Sequence, residues 1–559
     1  MSWVCISDDF DVFTISKAIF KDVGGGDGNF ETLNKLQVAL TEKLLNKRFL
    51  LVLDDVWDEN ADKWELLKRP FTVGALGSKV LVTTRNAKVA SVMDSVQAYH
   101  LDLLSDGDAL SLFAQHASGQ QNINVNRTLK LHGEDIVKKC GRLPLALRAL
   151  GRVFRTKSSD EEWEELLNSE IWKLGNESGI LPALKLSYYD LPPRLKQMFV
   201  YCCLFPKDYT FDMDELVLLW MAEGFLGESN ANKSMESFGR ECFKELVSRS
   251  FFQHSNKDKS QYTMHDLIND LANSVAGEFF FMLEDKTGVY DRSEALEKFH
   301  HISFIQEEYV FYRKFKALQR TRCLRTFLAI SSSSLGFLSM SNMALVKILP
   351  QLQFLRVLSL ANSSIKEVPE SIGGLKHLRY LNFSNTCIEF LPEQVGDLLN
   401  LQSLLLSGCD YLCILPNSVV ELINLRHLDI NDTPKLNEMP LGFGRLTGLQ
   451  TLSKVIIGGT GKFRLSDLKG FLHLHGQLSI QGLHKVKNAA HQKKGICDLQ
   501  LKWSNVFDGS RNEISEYEVL EGLRPFEKPQ DSLLWWNKVS YLGWGSLVCL
   551  LNSTYINRL

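Results

Sequence analysis

The sequence lacks several features that would assign the protein to a specialised class. No apolar run approaches the roughly 18 residues that a membrane-spanning helix needs. The net charge is only -3, so charge gives no reason to expect nucleic acid or an anionic membrane as a partner. The 11 cysteines are scattered without two matched CxxC pairs, which indicates neither a zinc site nor a disulfide framework. Mostly buried thiols in a cytoplasmic protein are therefore expected.

Length and composition indicate a folded protein with several domains. A chain of 559 residues is too long for one hydrophobic core, and three or four domains are expected. Its 45% apolar and 23% charged residues are typical of folded soluble proteins.

The most informative segment is an apolar run that ends in two carboxylates. The residues Phe49–Leu53 are too few for a helix core and suit a strand that is buried on both faces of a parallel sheet. Asp54 and Asp55 follow at the carboxyl end, where open α/β sheets place their ligands. An acidic pair there suits Mg²⁺, which prefers hard oxygen ligands beside phosphate. The alternative is a buried strand that merely runs into an acidic loop.

Neighbouring segments alternate between strand and helix. Residues 3–6 and 79–85 are predicted to be buried strands, and leucines at helical spacing over 33–44 precede the acidic strand. This alternation predicts a parallel, doubly wound sheet. Arg85 then lies at the same edge as Asp54, where its guanidinium suits a terminal phosphate. An ordinary surface arginine after a strand is the alternative.

A phosphate-binding loop, which such a sheet needs, is missing from the first part of the chain. No segment of the form GxxxxGK[ST] occurs in residues 1–112. The nearest pattern, Gly458–Phe463, lacks a hydroxyl after its lysine and the required earlier glycine. It is interpreted as a turn.

The middle of the chain predicts a winged-helix domain. Pro144 stands in the first turn of an apolar helix, where its missing N–H costs nothing. Residues 180–282 alternate short helices with two strand-like segments, a pattern that by itself suggests DNA binding. This segment carries ten Lys and Arg against fourteen Asp and Glu, the wrong sign for a phosphate backbone. His265 opens a later helix, where its imidazole could face an anion, although a lone histidine there is more often a surface residue.

A leucine repeat dominates the second half. Five leucines follow one another at intervals of 23, 23, 24 and 24 residues, and four prolines keep step with them: Leu355, Leu378, Leu401, Leu425 and Leu449, with Pro369, Pro392, Pro416 and Pro440. This period predicts leucine-rich repeats, with short strands that offer alternate side chains on a concave face for protein binding. Chance periodicity in a globular domain is the alternative, and two residue types in phase argue against it.

A row of basic residues also follows the repeat. Arg356, Arg379 and Arg426 come directly after the first leucine of their repeats, and Gln402 and Gln450 take this position in the others. The position flanks each strand. The row is therefore interpreted either as mostly solvated or as a lateral contact to the nucleotide-binding half of the chain.

Six segments carry a resemblance to a known family. In order they are WVCISDDFDV (3–12), FLLVLDDVWDEN (49–60), GSKVLVTTR (77–85), CGRLPLAL (140–147), CCLFPKDYTFDMDELVLLWMAEGFL (202–226) and YTMHDLINDLA (262–272). The ordered set resembles the plant nucleotide-binding, leucine-rich-repeat (NB-ARC–LRR) disease-resistance receptors. Trp57, after the acidic pair, is similar to the residue found there in their coiled-coil class. The resemblance covers residues 1–525.

The resemblance implies an intracellular immune receptor that works as a switch, with ADP bound when off and ATP when on. It implies that Asp54 holds Mg²⁺ and that Asp55 is the catalytic residue that assists hydrolysis. It further implies that Arg85 senses the γ-phosphate, that Pro144 packs on the base or ribose, and that His265 touches the β-phosphate of ADP. His265 would thereby clamp the winged-helix domain onto the nucleotide domain.

Partners and limits are implied as well. The repeats would bind a protein, either a pathogen effector or a guarded host protein, and members of the family oligomerise on activation. No nucleic acid partner and no transmembrane segment are expected. Slow hydrolysis would serve the switch, so the protein is not expected to be an enzyme in the ordinary sense.

Two departures from the family pattern concern the start of the chain. The phosphate loop and an amino-terminal signalling domain precede this point in family members, so the chain is expected to be a fragment or a truncated product. The loop supplies several charge-assisted hydrogen bonds, each of which contributes about 1.5–3 kcal/mol. Weak or absent binding of ADP, ATP and Mg²⁺ is therefore expected.

The fold expected is multidomain. A P-loop-NTPase-like α/β parallel sheet without its first strand and phosphate loop (1–100) is followed by a helical domain (101–175) and a winged-helix domain (176–282). A connector (283–345), an α/β leucine-rich-repeat solenoid (346–525) and an atypical tail (526–559) complete the chain. A repeat module or decoy without nucleotide-dependent activity, and an ATPase in the ordinary sense, are the alternative functions.

Overall fold

The computed structural model describes most of the chain in segments. They are residues 1–6, 10–26, 30–84, 86–93, 98–118, 127–157, 159–173, 182–227, 233–255, 258–283, 298–306, 323–331, 342–458, 463–482, 496–502, 539–542 and 546–552. The chain divides into two compact units, residues 1–151 with 159–167, and residues 152–158 with 168–559.

The first unit contains the predicted parallel sheet. Its strands are β1 (Ser2–Cys5), β2 (Leu50–Asp54) and β3 (Lys79–Val82), in the order β1-β2-β3. Both pairings are parallel, and one register row joins Val4, Leu53 and Val82. The strands predicted from the apolar runs are therefore confirmed.

Helices α1 (Val12–Phe20) and α2 (Leu33–Leu44) pack on one face of this sheet. Asp11 begins α1 by accepting hydrogen bonds from two backbone N–H groups, and the Thr32 hydroxyl begins α2 by accepting one, from Lys35 N. The helical leucines of α2 are buried, with Leu36 and Leu40 fully inaccessible. They pack with Leu51 and Leu53 in one hydrophobic cluster.

The expectation that the sheet is buried on both faces is wrong for part of it. Val52 is 2% exposed, but Leu81 on β3 is 54% exposed and Trp3 on β1 is 45% exposed. Strand β3 is at the edge of the three described strands. The hydrophobic cluster formed with α1 and α2 contains side chains from the other face of the sheet, and neither Leu81 nor Trp3 belongs to it. A parallel sheet is buried on both faces only where helices cover both.

Helices dominate the rest of the first unit and its junction with the second. They are α3 (Ala61–Lys68), α4 (Ala87–Val92), α5 (Asp106–Ser118), α6 (Arg127–Lys139), α7 (Pro144–Arg155) and α8 (Asp160–Leu167). Helix α7 begins at Pro144, as the sequence predicts.

The second unit begins with a winged-helix arrangement. Its helices are α9 (Pro182–Tyr189), α10 (Pro193–Tyr201), α11 (Met213–Glu223), α12 (Met235–Ser248) and α13 (Asp266–Val275). Short antiparallel strands β4 (Thr210–Phe211), β5 (Gln253–His254) and β6 (Tyr262–Thr263) form the wing in the order β4-β6-β5. The predicted strand pair is confirmed, and fully buried Trp220 and Phe243 pack at its core.

Eight strands then form one parallel sheet in sequence order. They are β7 (Phe280–Leu283), β8 (His301–Gln306), β9 (Thr326–Ser331), β10 (Val357–Ser359), β11 (Tyr380–Asn382), β12 (Ser403–Leu405), β13 (His427–Asp429) and β14 (Thr451–Leu452), with helix α14 (Asn342–Ile348) before β10. Strands β8 and β9 lie within the segment 283–345 that was predicted as a connector, and they continue the ladder of the repeats. Their weaker leucine pattern gives no sequence signal of this.

The repeat interior follows the periodic residues. All five repeat leucines from Leu355 to Leu449 are fully buried. Pro369, Pro392 and Pro416 each precede a short 3₁₀ turn, where a fixed φ near -70° and a missing N–H suit the chain.

A second sheet begins after β14. It contains β15 (Lys454–Ile456), β16 (Gly476–Gln481), β17 (Ile496–Lys502), β18 (Val539–Leu542) and β19 (Ser546–Asn552), in the order β15-β16-β17-β19-β18. The pairings of β19 are antiparallel, in contrast to the repeats. Among the residues described, no helix combines the length and apolar character needed to cross a membrane.

Candidate functional site

The acidic edge of the first sheet is built by all three strands. Asp54 ends β2, and its Oδ2 accepts a hydrogen bond from Trp3 Nε1 on β1 at 3.2 Å. Its Oδ1 accepts a hydrogen bond from the Thr83 hydroxyl, directly after β3. The same hydroxyl accepts from the backbone N–H of Asp55 at 2.8 Å. The two neighbouring strands therefore fix the position of the acidic pair.

Asp55 has a φ of 55°, in the left-handed region that few residues other than glycine adopt. This conformation turns the chain sharply away from β2 directly after Asp54. Val56 N then donates to Thr83 O at 2.9 Å, which ties the turn to the neighbouring strand. The carboxylates are thus presented at the carboxyl end of the sheet, where a cation would meet them.

The order of the strands limits the site. Ligands of open α/β sheets bind in the crevice where the strand order reverses. The three described strands run in consecutive order, so no reversal occurs among them. The carboxylate oxygens of Asp54 retain lone pairs for a cation beside their two present donors. The edge can therefore hold a metal ion, but the described strands form no crevice of this type.

The other predicted site residues are placed as follows. Pro144 is exposed at the first turn of α7, after the turn residues Gly141 and Arg142, which both have positive φ. His265 is the N-cap of α13, and its Nδ1 accepts a hydrogen bond from Leu267 N at 3.2 Å. Arg85 lies outside the described residues.

The structure brings together Asp54, Asp55 and Thr83, whereas Pro144 has no described contact with them. His265 belongs to the second compact unit, and Asp54 to the first. Sequence reasoning missed Trp3 and Thr83. Trp3 is the second residue of a strand, and Thr83 follows one, so the alignment of the three strands was needed to find both.

A second site lies where the winged-helix domain meets the repeat sheet. One register row crosses this sheet, and its part from β8 to β14 is called the polar row here: His301, Thr326, Val357, Tyr380, Ser403, His427 and Thr451. Helix α11 packs against β10 and β11. Most of the row is buried, although alternate strand positions were expected to be open on the concave face.

The end of α11 is fixed over β8 to β10. The carboxylate of Glu223 accepts a hydrogen bond from Thr326 and lies 3.6 Å from His301 Nδ1. Arg356 Nη1 donates to the backbone oxygen of Glu223 at 2.7 Å, and Arg379 Nη1 donates to Ala222 O at 3.4 Å. Burial raises the pKa of Glu223, but the nearby imidazole of His301, the bond from Thr326 and the charge of Arg356 bring it below its ordinary value.

The start of α12 is fixed over β13 and β14. Glu236 accepts two hydrogen bonds from Arg426, at 2.8 and 3.1 Å, and a third contact from His427 Nε2 at 3.2 Å. With the Gln450 amide turned so that its nitrogen faces Glu236, this nitrogen also donates at 2.9 Å. Burial raises the pKa of Glu236, but the bonds from His427 and the helix backbone and the charge of Arg426 lower it to about 2.

Glu215, in the first turn of α11, also contacts the repeat sheet. Its Oε1 accepts a hydrogen bond from Tyr380 Oη at 3.3 Å. Burial and the charge of Asp212 raise the pKa of Glu215, while the bond from Tyr380 opposes this. Of the two interpretations of the arginine row, a lateral contact and not a mostly solvated position is observed at Arg356, Arg379 and Arg426. The contact is with the winged-helix domain.

The fold and these sites define a class of protein in which a nucleotide-binding type of sheet and a winged helix precede leucine-rich repeats. Comparison with known proteins agrees. Residues 1–122 match the NB-ARC domain, residues 204–272 the disease resistance protein winged helix domain, and residues 333–494 a leucine-rich repeat region.

Individual relatives carry the same description. Disease resistance protein RGA2 of Solanum bulbocastanum is 39% identical over 94% of this chain and 51% of its own length. RGA4 of the same species is 40% identical over 94% of this chain and 50% of its own length. The disease resistance RPP13-like protein 1 of Arabidopsis thaliana is 43% identical over 66% of this chain and 34% of its own. The chain thus spans about half the length of the RGA relatives.

The chain belongs to the NB-ARC–LRR disease-resistance proteins of plants. Among solved structures, the leucine-rich repeat domain of the type III effector XopL covers 54% of this chain and is itself 89% covered, at 17% identity. Its TM-score of 0.27 is too low to define a shared overall fold. Membership of the coiled-coil class, expected from Trp57, stays a prediction.

Proposed function

We propose that the protein is an intracellular immune receptor of plants that acts as an ADP/ATP-dependent switch and recognises a protein through its repeats. Family membership supports the nucleotide-binding part, because the NB-ARC domain implies nucleotide binding in the family. The observation that carries it here is the acidic edge, where Trp3 and Thr83 hold Asp54 at the carboxyl end of a parallel sheet.

Each predicted site residue has a role in this proposal. Asp54 holds Mg²⁺, because its carboxylate keeps lone pairs for a hard cation. Asp55 assists hydrolysis, and Arg85 senses the γ-phosphate. Pro144 packs on the base or ribose, for which its exposed position at the start of α7 is suitable. His265 contacts the β-phosphate of ADP from the N-terminus of α13, where the helix dipole favours an anion.

Nucleotide binding by this chain is proposed to be weak. Residues 1–112 contain no GxxxxGK[ST] segment, and the three described strands offer no reversal of strand order. The first feature removes N–H groups that would bind the β-phosphate, and the second means that the described strands form no crevice for the nucleotide. The affinity that remains would come from Asp54 through Mg²⁺ and from contacts to the base.

A second candidate function is a repeat module or decoy that recognises a protein without nucleotide control. It is favoured by the donors already bonded to both carboxylate oxygens of Asp54, which make the acidic edge self-sufficient without a cation. In either case we propose a cytoplasmic location and a pathogen effector or guarded host protein as the partner. Oligomerisation on activation belongs to the first function alone.

Calorimetric titration of ADP distinguishes the two functions. The protein used carries a GxxxxGK[ST] loop, with its strand and helix, fused before Met1. The first function predicts that Asp54→Asn removes the Mg²⁺ dependence of ADP affinity and that His265→Ala weakens ADP more than ATP. Glu241→Gln, an exposed position on α12, serves as the control and leaves both affinities unchanged. Affinities unaffected by both site substitutions would refute the switch and favour the repeat module.

A further inference from the structure

The surface between the winged-helix domain and the repeats has an unusual chemistry. The polar row carries hydroxyls, a phenol and two imidazoles, and arginines stand directly before it on four strands: Arg325, Arg356, Arg379 and Arg426. Glutamates from the other side, Glu215, Glu223 and Glu236, meet this surface. The surface therefore binds carboxylates that the chain itself supplies.

Positive charge on this surface exceeds the negative charge that faces it. Arg325, Arg356 and Arg379 stand on adjacent strands, and Glu223 is the one carboxylate within ion-pair distance of them in the part of the chain that the structure describes. Burial lowers the pKa of Arg356 most; Glu223 opposes this, and the like charges of Arg325 and Arg379 lower it further. All three arginines remain partly exposed, so their charge is accessible from solvent.

Helices α11 and α12, which cover this surface, leave some of its polar groups without partners. At the start of β12, between the contacts of Glu215 and Glu236, Gln402 Oε1 and Ser403 Oγ are buried without a hydrogen-bond partner. One oxygen of Glu223, Oε2, is likewise without a hydrogen bond. Buried polar groups in folded proteins are nearly always paired. A different occupant that placed a polar group over β12 would therefore pair better than α11 and α12 do.

The spacing of the contacts matches a helix that crosses the strands. Glu215 contacts Tyr380 on β11 and Glu223 contacts Thr326 on β9, two strands away. Eight residues of helix rise about 12 Å, and two strand intervals span about 10 Å. Acidic side chains one or two turns apart on a helix therefore reach one strand of the sheet after another.

We propose that the polar row and its arginines form a recognition surface for an acidic α-helical segment of a partner protein, which binds by replacing Glu215, Glu223 and Glu236. The partner helix presents carboxylates at intervals of one or two turns along one face. The exposed arginine edges attract it first, because charge steers association before the buried groups are uncovered. Binding then releases α11 and α12 from the sheet.

The test uses the whole chain and a short acidic helix as the probe. The probe is a fluorescent peptide of residues 234–245, which has three glutamates against one arginine and one lysine; Cys242 is replaced by Ser and Glu236 is retained. Fluorescence anisotropy gives its affinity for the wild-type chain and for the Glu236→Gln chain, in which the internal carboxylate no longer competes. The Glu236→Gln chain is expected to bind the probe at least tenfold more tightly.

Matched variants separate recognition of the carboxylate from general attraction of acid to base. A peptide with Glu236→Gln is expected to bind at least tenfold more weakly, and one with Glu241→Gln to bind as before. Glu241 pairs with Lys233 at 2.8 Å on the exposed side of α12, so it does not face the sheet. A chain with Arg426→Gln is expected to lose the probe. Equal binding of the Glu236→Gln or a scrambled peptide would overturn the proposal.

A second measurement covers the case in which the Glu236→Gln chain does not fold. In the wild-type chain, excess probe is expected to speed hydrogen exchange of the amides over Met235–Ser248, because α12 is displaced from the sheet. The same peptide with Glu236→Gln is expected to leave this exchange unchanged. No acceleration by the native probe at saturating concentration would overturn the proposal.

Discussion

Replacing Glu236 by Gln tests how strongly the winged-helix domain is held on the repeats. The side chain is 2% exposed and has contacts from Arg426, His427 and Gln450. Its pKa falls from 4.5 to about 2, which corresponds to about 3.5 kcal/mol at about 1.4 kcal/mol per pKa unit. Removing one partner of a buried ion pair costs about 3–5 kcal/mol, and Gln keeps one acceptor oxygen. We expect the opening free energy of α12 to fall by about 2–4 kcal/mol.

Hydrogen exchange measured by mass spectrometry over Met235–Ser248 gives this opening free energy. Because the pKa of Glu236 is lowered by folding, its stabilisation is fully present above pH 4.5 and is lost as the pH falls toward 2. The Glu236→Gln protein should lack this pH dependence. Glu241→Gln, half-exposed on the same helix, should change the opening free energy by less than about 0.5 kcal/mol. Equal effects of the two substitutions would refute the reasoning.

Three further predictions concern other contacts. A Cβ at Gly396 would overlap Ser418 Cβ, so Gly396→Ala should lower the unfolding free energy by about 1–3 kcal/mol. Gly374→Ala is the control, because a Cβ there meets open space. Urea titration measures both variants, and similar unfolding midpoints would contradict the prediction. Arg152 Nη1 donates to Val247 O at 2.8 Å at the end of α12. Arg152→Ala should therefore speed hydrogen exchange of the amides at the end of α12, by an amount equivalent to about 1–2 kcal/mol of opening free energy. Unchanged exchange would count against the contact. Thr83→Ala removes the hydroxyl that bonds the Asp54 carboxylate and the backbone N–H of Asp55, so it should speed hydrogen exchange of the Asp55 amide; unchanged exchange would exclude a role for these bonds.

Much of the fold could be predicted because its signals are periodic or local. The apolar run before Asp54 marked a strand, and the repeat leucines marked a stacked core, since both patterns follow from burial of one face or of both. Pro144 at a helix start and His265 at another follow from the chemistry of the first turn. Nothing about distant residues was needed for these predictions.

The remaining features depend on residues far apart in the sequence. The periodic arginines were visible, but their partners lie 133 to 190 residues earlier on the winged-helix domain, as for Arg356 with Glu223 and Arg426 with Glu236. Leu81 is exposed because of which face of the sheet the helices cover. An apolar strand has the same sequence pattern whether helices cover one face or both, so the pattern does not predict this exposure. Strands β8 and β9 were missed because the leucine period is weak before residue 346.

Titration of ADP into two proteins tests the account most directly. One is the 559-residue chain, and the other carries a GxxxxGK[ST] loop with its strand and helix fused before Met1. Loss of two charge-assisted bonds of about 1.5 kcal/mol each already corresponds to about 100-fold, so the extended protein should bind ADP at least about 100-fold more tightly. Equal and tight binding by both proteins would contradict the account.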